Sequence, residues 1–227
     1  METISKKIYI LIPAYNEATV IISVIKEVQT AGYRDIIVID DGSADETYAL
    51  AGKEAGVIAL KHFLNRGKGA AAKTGIEAAK LLGADIVVTI DGDGQHNPSD
   101  IAKMLAFIEQ GNDVVLGSRL QNPKGMPVWK IAANYFGNFC TLVIYGLWVT
   151  DSQSGFRAYS KKAINLIETK TDRYEYDSEV IREIHRNQLK FVETPIEVRY
   201  TKYSMSKVHK MNLKNGLKTL VKMIISG

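Results

Sequence analysis

The chain has 227 residues, 46% hydrophobic and 24% charged, with 29 basic and 25 acidic side chains giving a net charge of +4. That length suits one large domain, residues 1–205, and a basic amphipathic segment, 206–227, that belongs to it or lies on a membrane surface. The mild charge makes no case for nucleic acid, the single Cys140 excludes an internal disulfide and fits a reducing compartment, and no apolar run reaches the ~20 residues of a spanning helix.

Residues 8–12 read as a strand, too short and too soon polar for a signal peptide. Residues 17–30 predict a helix with Asn16 as its N-cap. A second strand covers 36–40, and Ser43-Ala44-Asp45-Glu46 has capping-box spacing for a helix running to about Glu54. Residues 57–60 form a third strand. The loop Asn65-Arg66-Gly67-Lys68-Gly69 then leads into an alanine-rich helix, 70–82. A strand ends at Ile90, a helix spans about 99–110, and a strand covers 113–117. Strands alternating with helices of this length give βαβ units and a largely parallel central sheet flanked by helices, the α/β class. Right-handed crossovers then set Asp40-Asp41 and Asp91-Gly92-Asp93 on one rim. Further on, 130–147 reads as an apolar helix and 156–159 as a strand. Helices follow at 161–168 and 177–186, then a strand within 191–200 bent at Pro195.

Asp91-Gly92-Asp93-Gly94-Gln95-His96 is the most informative stretch. Ligands of α/β sheets gather at the carboxyl ends of strands. Two carboxylates this close repel unless a cation separates them, and a hard divalent ion with oxygen ligands is the natural one. Gln95 adds an amide oxygen. At the other strand ends, Tyr15 offers a flat face for a base, and Asp40-Asp41 offers acceptors for a ribose hydroxyl or base N–H. For Ser43, helix capping is the preferred reading. Together these features suit a nucleoside diphosphate. Gly67-Lys68-Gly69 lacks the leading glycine and the Ser/Thr of a Walker A loop, and no G-x-G-x-x-G follows the first strand. Lys68 is either near phosphate or simply solvated.

With Pro13-Ala14-Tyr15-Asn16-Glu17, Asp40-Asp41-Gly42-Ser43-Ala44-Asp45, Asp91-Gly92-Asp93-Gly94-Gln95-His96, Gly117-Ser118-Arg119 and Ser154-Gly155-Phe156-Arg157 in order, the chain resembles the inverting, metal-dependent glycosyltransferases of the GT-A (nucleotide-diphospho-sugar transferase) fold. Within them it is similar to the polyprenyl- and dolichyl-phosphate mannosyl- and glucosyltransferases. The resemblance implies a nucleoside pocket of Pro13, Tyr15, Glu17, Ile39 and Asp41. It implies Mg2+ or Mn2+ on Asp91, Asp93 and Gln95, with Gly92 close to the nucleotide. Asp93 and Arg119 are the implied catalytic residues, Arg119 facing the phosphates. Lys130 stands near the acceptor phosphate, and Arg199 with Lys207 closes over donor or acceptor phosphate. The implied reaction moves a hexose from GDP-mannose or UDP-glucose to dolichyl or polyprenyl phosphate, on the cytoplasmic face of a membrane, with a separate membrane-protein partner conceivable.

A lipid phosphate is anionic at neutral pH and needs cations rather than a base; Arg119, Lys130, Arg157, Arg199 and Lys207 supply them. Transfer to a saccharide or other hydroxyl, the alternative, requires a general base, for which Asp151 and Asp177 are the candidates. A nucleotidyltransferase would carry a glycine-rich signature after the first strand. The tail from Ser206 sets Val208, Met211, Leu217, Leu220, Val221, Ile224 and Ile225 against lysines at 207, 210, 214, 218 and 222, the pattern of an interfacial helix or of an ordinary surface helix.

Overall fold

The structure, a computed structural model, describes residues 6–173, 175–201, 203 and 204. Lys207 and the amphipathic segment 206–227 lie outside the described residues. Seven strands form one sheet in the order β3-β2-β1-β4-β6-β5-β7. They are β1 (Ile8–Ala14), β2 (Ile36–Asp40), β3 (Val57–Lys61), β4 (Ile86–Thr89), β5 (Val114–Ser118), β6 (Arg157–Ser160) and β7 (Phe191–Pro195). The helices are α1 (Ile21–Thr30), α2 (Thr47–Ala51), α3 (Lys68–Leu81), α4 (Asp100–Glu109), α5 (Val128–Tyr145), α6 (Lys161–Leu166) and α7 (Glu175–Arg186).

The central strands are β-branched runs buried on both faces, as parallel strands covered by helices must be. Alternate residues serve opposite cores. Leu11, Ile37, Ile39, Val87 and Leu116 pack toward α3, α6 and α7, while Ile10, Ile12, Val38, Val88 and Val115 pack toward α1 and α4. Small residues bring α3 close to the sheet: a Cβ on Gly75 would come within 2.7 Å of Ile39 Cδ1.

One strand departs from the parallel pattern. β6 runs antiparallel to both β4 and β5, with Thr89 opposite Arg157. Its first residue therefore lies at the rim where β4 ends, and this reversal carries Ser154-Gly155-Phe156-Arg157 to the Asp91 turn.

Two expected caps are corrected. Asn16 does not cap a helix at 17; α1 begins at Ile21 after Val20, with no side-chain cap. Asn16 adopts φ 54° and stitches two strand ends. Its N–H donates to Ser43 Oγ at 2.8 Å and its Oδ1 accepts from Ala44 N–H at 3.0 Å. The expected capping box at Ser43 is not formed either. α2 is one short helix beginning at Thr47. The Ser43 hydroxyl is turned back onto Asp40, and Asp45 receives the Thr47 N–H at 3.0 Å and the Ala18 N–H at 3.1 Å. Tertiary cross-links between neighbouring strand ends outcompete local capping. β7 stops at Pro195, and beyond it an antiparallel bridge joins Val198 to His96. Among the described residues no helix is long and apolar enough to cross a membrane.

Candidate active site

A cleft of about 480 Å3 opens where β1, β2 and β4 end, lined by Pro13, Tyr15 and Glu17, by Asp41, and by Asp91, Gly92 and Asp93. The loop before α3 contributes Asn65, Gly67 and Lys68, and Arg173 comes from the segment before α7. Its size falls within the range of small-molecule sites. Tyr15 is 45% exposed and presents its ring to solvent. Gly92 leaves no side chain between the Asp91 turn and β1: a Cβ there would meet the Pro13 carbonyl oxygen at 3.0 Å.

Asp41 is almost fully buried and holds its loop together. Its Oδ1 is 2.8 Å from His62 Nδ1 and accepts the Arg66 N–H at 3.0 Å, and its Oδ2 accepts the Gly67 N–H at 2.6 Å. The far nitrogen of His62 is 2.9 Å from Thr74 Oγ1, on α3. The buried Glu17 carboxylate receives the Tyr203 hydroxyl at 2.7 Å. Ile39 lies in the core beneath α3 and does not line the cleft.

Asp91 faces a cation already. Lys68 Nζ is 2.9 Å from Asp91 Oδ1 and 3.4 Å from Asp177 Oδ2. Burial alone would push the Asp91 carboxyl up, but the Lys68 ammonium outweighs it and holds the group well below the usual carboxylate range. Burial likewise opposes the charge on Lys68, and Asp177 and Asp91 overcome it, so the ammonium titrates above its ordinary value. The buried ring of His96 packs against Phe156 at 5.2 Å between centroids, with Nδ1 3.4 Å from the Asp91 N–H. Burial lowers its pKa despite the two nearby aspartates, and its Nδ1 faces the backbone N–H of the turn.

Among the described residues Asp93 is gripped by its neighbour Gln95, whose N–H donates to Oδ1 at 3.0 Å and whose amide Nε2 donates to Oδ2 at 2.6 Å. Among the described residues no three His, Cys, Asp or Glu side chains converge on a metal position. Two carboxylates on the cleft wall, with the Gln95 amide beside them, are hard donors that fit a cation whose remaining ligands come from a diphosphate, rather than a closed protein cage.

Arg119 is forked onto Asp151. Nε and one Nη donate to its two oxygens at 2.7 and 2.8 Å, and the Arg119 N–H adds a third bond at 2.9 Å. Arg119 is still close enough to Asp91 for their charges to interact. Lys130 lies over the Tyr200 ring at 5.2 Å. Partial burial, with Arg119 nearby, lowers its pKa against the opposing pull of Asp93. Arg199 is tied into the same region through its backbone, which donates to the Gln95 carbonyl at 2.8 Å, but its guanidinium turns to Glu27 at 2.7 Å. Arg157 braces the fold. It is 1% exposed and donates to the carbonyls of Ser154, Ser152 and Asp177 at 2.7–2.8 Å.

The fold thus gathers Pro13, Tyr15, Glu17, Asp41, Asp91, Gly92 and Asp93 around one cleft, with Arg119, Lys130 and Gln95 beside it. It leaves Ile39 in the core and turns the Arg199 side chain away. Sequence reasoning did not assign Lys68, His62 or Arg173 to the site. The glycine-rich loop 65–69 was the available signal for Lys68; nothing local marks His62 or Arg173.

Residues 9–167 match the family described as glycosyl transferase family 2. The chain is similar to the UDP-N-acetylglucosamine–dolichyl-phosphate N-acetylglucosaminyltransferase of Methanococcus voltae, 42% identical over 225 residues that span 89% of each chain. It is similar to the polyprenol monophosphomannose synthase of Mycolicibacterium smegmatis, 25% identical over 94% of this chain and 85% of that one. Among solved structures, glucosyl-3-phosphoglycerate synthase from Mycobacterium tuberculosis, in complex with Mn2+, UDP and glucosyl-3-phosphoglycerate, matches with a TM-score of 0.68. At 20% identity over 98% of this chain and 81% of that one, the match shows the shared GT-A fold.

Proposed function

The chain belongs to glycosyl transferase family 2, and from that membership we propose that it transfers a sugar from a nucleoside diphosphate donor to the phosphate of a polyprenyl or dolichyl phosphate. The observation that carries this reading is the state of the two carboxylates a hydroxyl acceptor would need as bases. Asp151 is saturated by the Arg119 fork. Asp177 is buried between Lys68 and Arg157. Neither is poised to take a proton, whereas a lipid monophosphate, with a second pKa near 6, needs none removed.

In this reading the nucleoside stacks on Tyr15 and lies along the rim near Asp41. The diphosphate sits over Gly92, whose missing side chain lets the turn pack close against the end of β1. Asp93, with Asp91 and Gln95, would hold Mg2+ or Mn2+ there, and the ion's positive charge stabilises the departing diphosphate when bound. Arg119, oriented by Asp151, and Lys130 draw the acceptor phosphate in against the repulsion of the donor. An acceptor phosphate oxygen bonds to C1 of the sugar from the face opposite the breaking bond between C1 and the diphosphate oxygen. The nucleoside diphosphate leaves, and the anomeric configuration inverts. The Methanococcus voltae relative's name makes UDP-N-acetylglucosamine the first donor to test, beside GDP-mannose and UDP-glucose.

A lipid acceptor brings the protein to a membrane surface, and α5 supports such a docking. Trp129, Phe136 and Val143 recur every seven residues with Phe139 between them, each more than half exposed. Lys124 and Lys130 stand at the start of this stripe. Aromatic residues bordered by lysines suit the boundary between headgroups and acyl chains.

The experiment is incubation of the full chain with Mn2+, each radiolabelled donor in turn, and a short polyprenyl phosphate. Label that moves into the organic phase only when the lipid phosphate is present is the expected result. Label that moves to a lipid alcohol or a free saccharide instead refutes the reading.

A further inference from the structure

We propose that Lys68 is a built-in counter-ion that keeps a divalent cation off the Asp91–Asp93 pair until a diphosphate brings the cation with it. This inference rests on the reading of the cleft as a site for a metal-bound diphosphate. Its basis is the charge arithmetic around Asp91. Lys68 and Arg157 face Asp91 and Asp177, with Lys68 Nζ 2.9 Å from one carboxylate and 3.4 Å from the other, and Arg157 3.7 Å from Asp177 Oδ1. Two positive charges meet two negative ones, and the group is closed.

The housing holds the pair in place. A Cβ on Gly155 would collide with both Lys68 Nζ and Asp91 Oδ1, so the two groups lie directly on that backbone. The void beside them, about 10 Å3 and walled by Pro13, Ala72 and Tyr176, has room for about one water. Lys68 therefore has no alternative berth on that side. Of the Asp91–Asp93 pair, a bare cation entering the cleft meets only Asp93 without a cationic partner among the described residues. It also meets an ammonium at the first oxygen it would need and, farther out, the positive charges of Arg119 and Lys130, both within electrostatic range of the aspartates. A cation chelated by a diphosphate carries its own anionic ligands, and Asp93 suffices to seat it. Lys68 would thus make metal and donor bind together and leave the unloaded protein metal-free.

The test titrates Mn2+ into the full-length protein without nucleotide, following the paramagnetic signal of free Mn2+. Lys68→Met is expected to bind Mn2+ alone at least tenfold more tightly than the wild type. Lys68→Met/Asp91→Asn is expected to lose that gain, and saturating UDP is expected to close the gap between wild type and Lys68→Met. A loss of function could follow from any structural damage, but a gain in metal affinity could not. Lys68→Gln serves if Lys68→Met does not fold. Equal Mn2+ affinity of wild type and variant, or a variant that only weakens UDP binding without metal, overturns the inference and makes Lys68 a phosphate ligand instead. If Mn2+ and UDP together fail to bind the wild type, the reading of the cleft falls; if they bind and the variants match the wild type, only the role of Lys68 does.

Discussion

At the rim of β1, β2 and β4, the Asp91 side chain keeps 29% of its surface open, and among the described residues Asp93 is held only by Gln95 within its own turn. Around β5 and β6 the same residue types are sealed: the side chains of Asp151 and Arg157 are each 1% exposed, and Asp151 is saturated by partners distant in sequence. At this rim Asp93 keeps unused capacity and Asp91, although paired with Lys68, stays partly open, whereas Asp151 and Arg157 are spent on the fold. Charge that is already paired positions structure, and charge left partly open is where a ligand can be bound. The second half also carries exposed apolar residues along α5.

Five variants break or sharpen this contrast. Arg157→Met, in the sealed region, leaves Asp177 with Lys68 alone and strands three carbonyls, and is expected to cost about 3–5 kcal/mol of stability, read from urea unfolding. Asp93→Asn, at the open rim, is expected to leave stability unchanged while kcat falls roughly 10²–10³-fold, about 2.7–4 kcal/mol. If Asp93→Asn destabilised the fold as much as Arg157→Met does, the division between the two regions would fail. Asp151→Asn sits at the boundary. It removes one charge from the fork and is expected to lose about 1.5–3 kcal/mol, divided between melting temperature and kcat because Arg119 loses its orientation. Asp41→Ala is expected to weaken donor binding by a similar or smaller amount in calorimetry with UDP, part of it through release of the Arg66–Gly67 loop. The smallest effect on turnover is expected from Trp129→Ser/Phe136→Ser. Its transfer to a detergent-dispersed short acceptor should match the wild type, while its co-sedimentation with anionic liposomes at low salt should drop several-fold. Unchanged co-sedimentation would remove α5 from the membrane surface.

Much of the first half was legible in the sequence because its signals are local. β-branched runs alternate with helical periodicity, and each motif sits where a strand ends, so the shared rim follows from right-handed crossovers alone. Asn16 and Ser43 were misread for the opposite reason. Both are good capping residues, and only the parallel neighbours β1 and β2, with Ala14 beside Asp40, reveal that they bond to each other's strands instead. The Arg119–Asp151 fork joins residues 32 apart, and His62 reaches Asp41 across 21. No periodicity announces such pairs. Lys68 was visible as a loop lysine, but its pairing depends on the antiparallel β6 delivering Gly155 to the Asp91 turn, a reversal that a run of βαβ units does not forecast. The roles assigned to Lys207 and to the tail fall on residues outside those the structure describes.

The central claim is that the sugar goes to a phosphate and not to a hydroxyl. The direct measurement is phosphorus and proton NMR of the product formed with short polyprenyl phosphate and the donor that turns over. The account predicts a single phosphodiester resonance coupled to the anomeric proton, with the anomeric configuration opposite to that of the donor. A product whose sugar is joined through a C–O–C glycosidic bond, with the lipid phosphate left as a monoester, would contradict it.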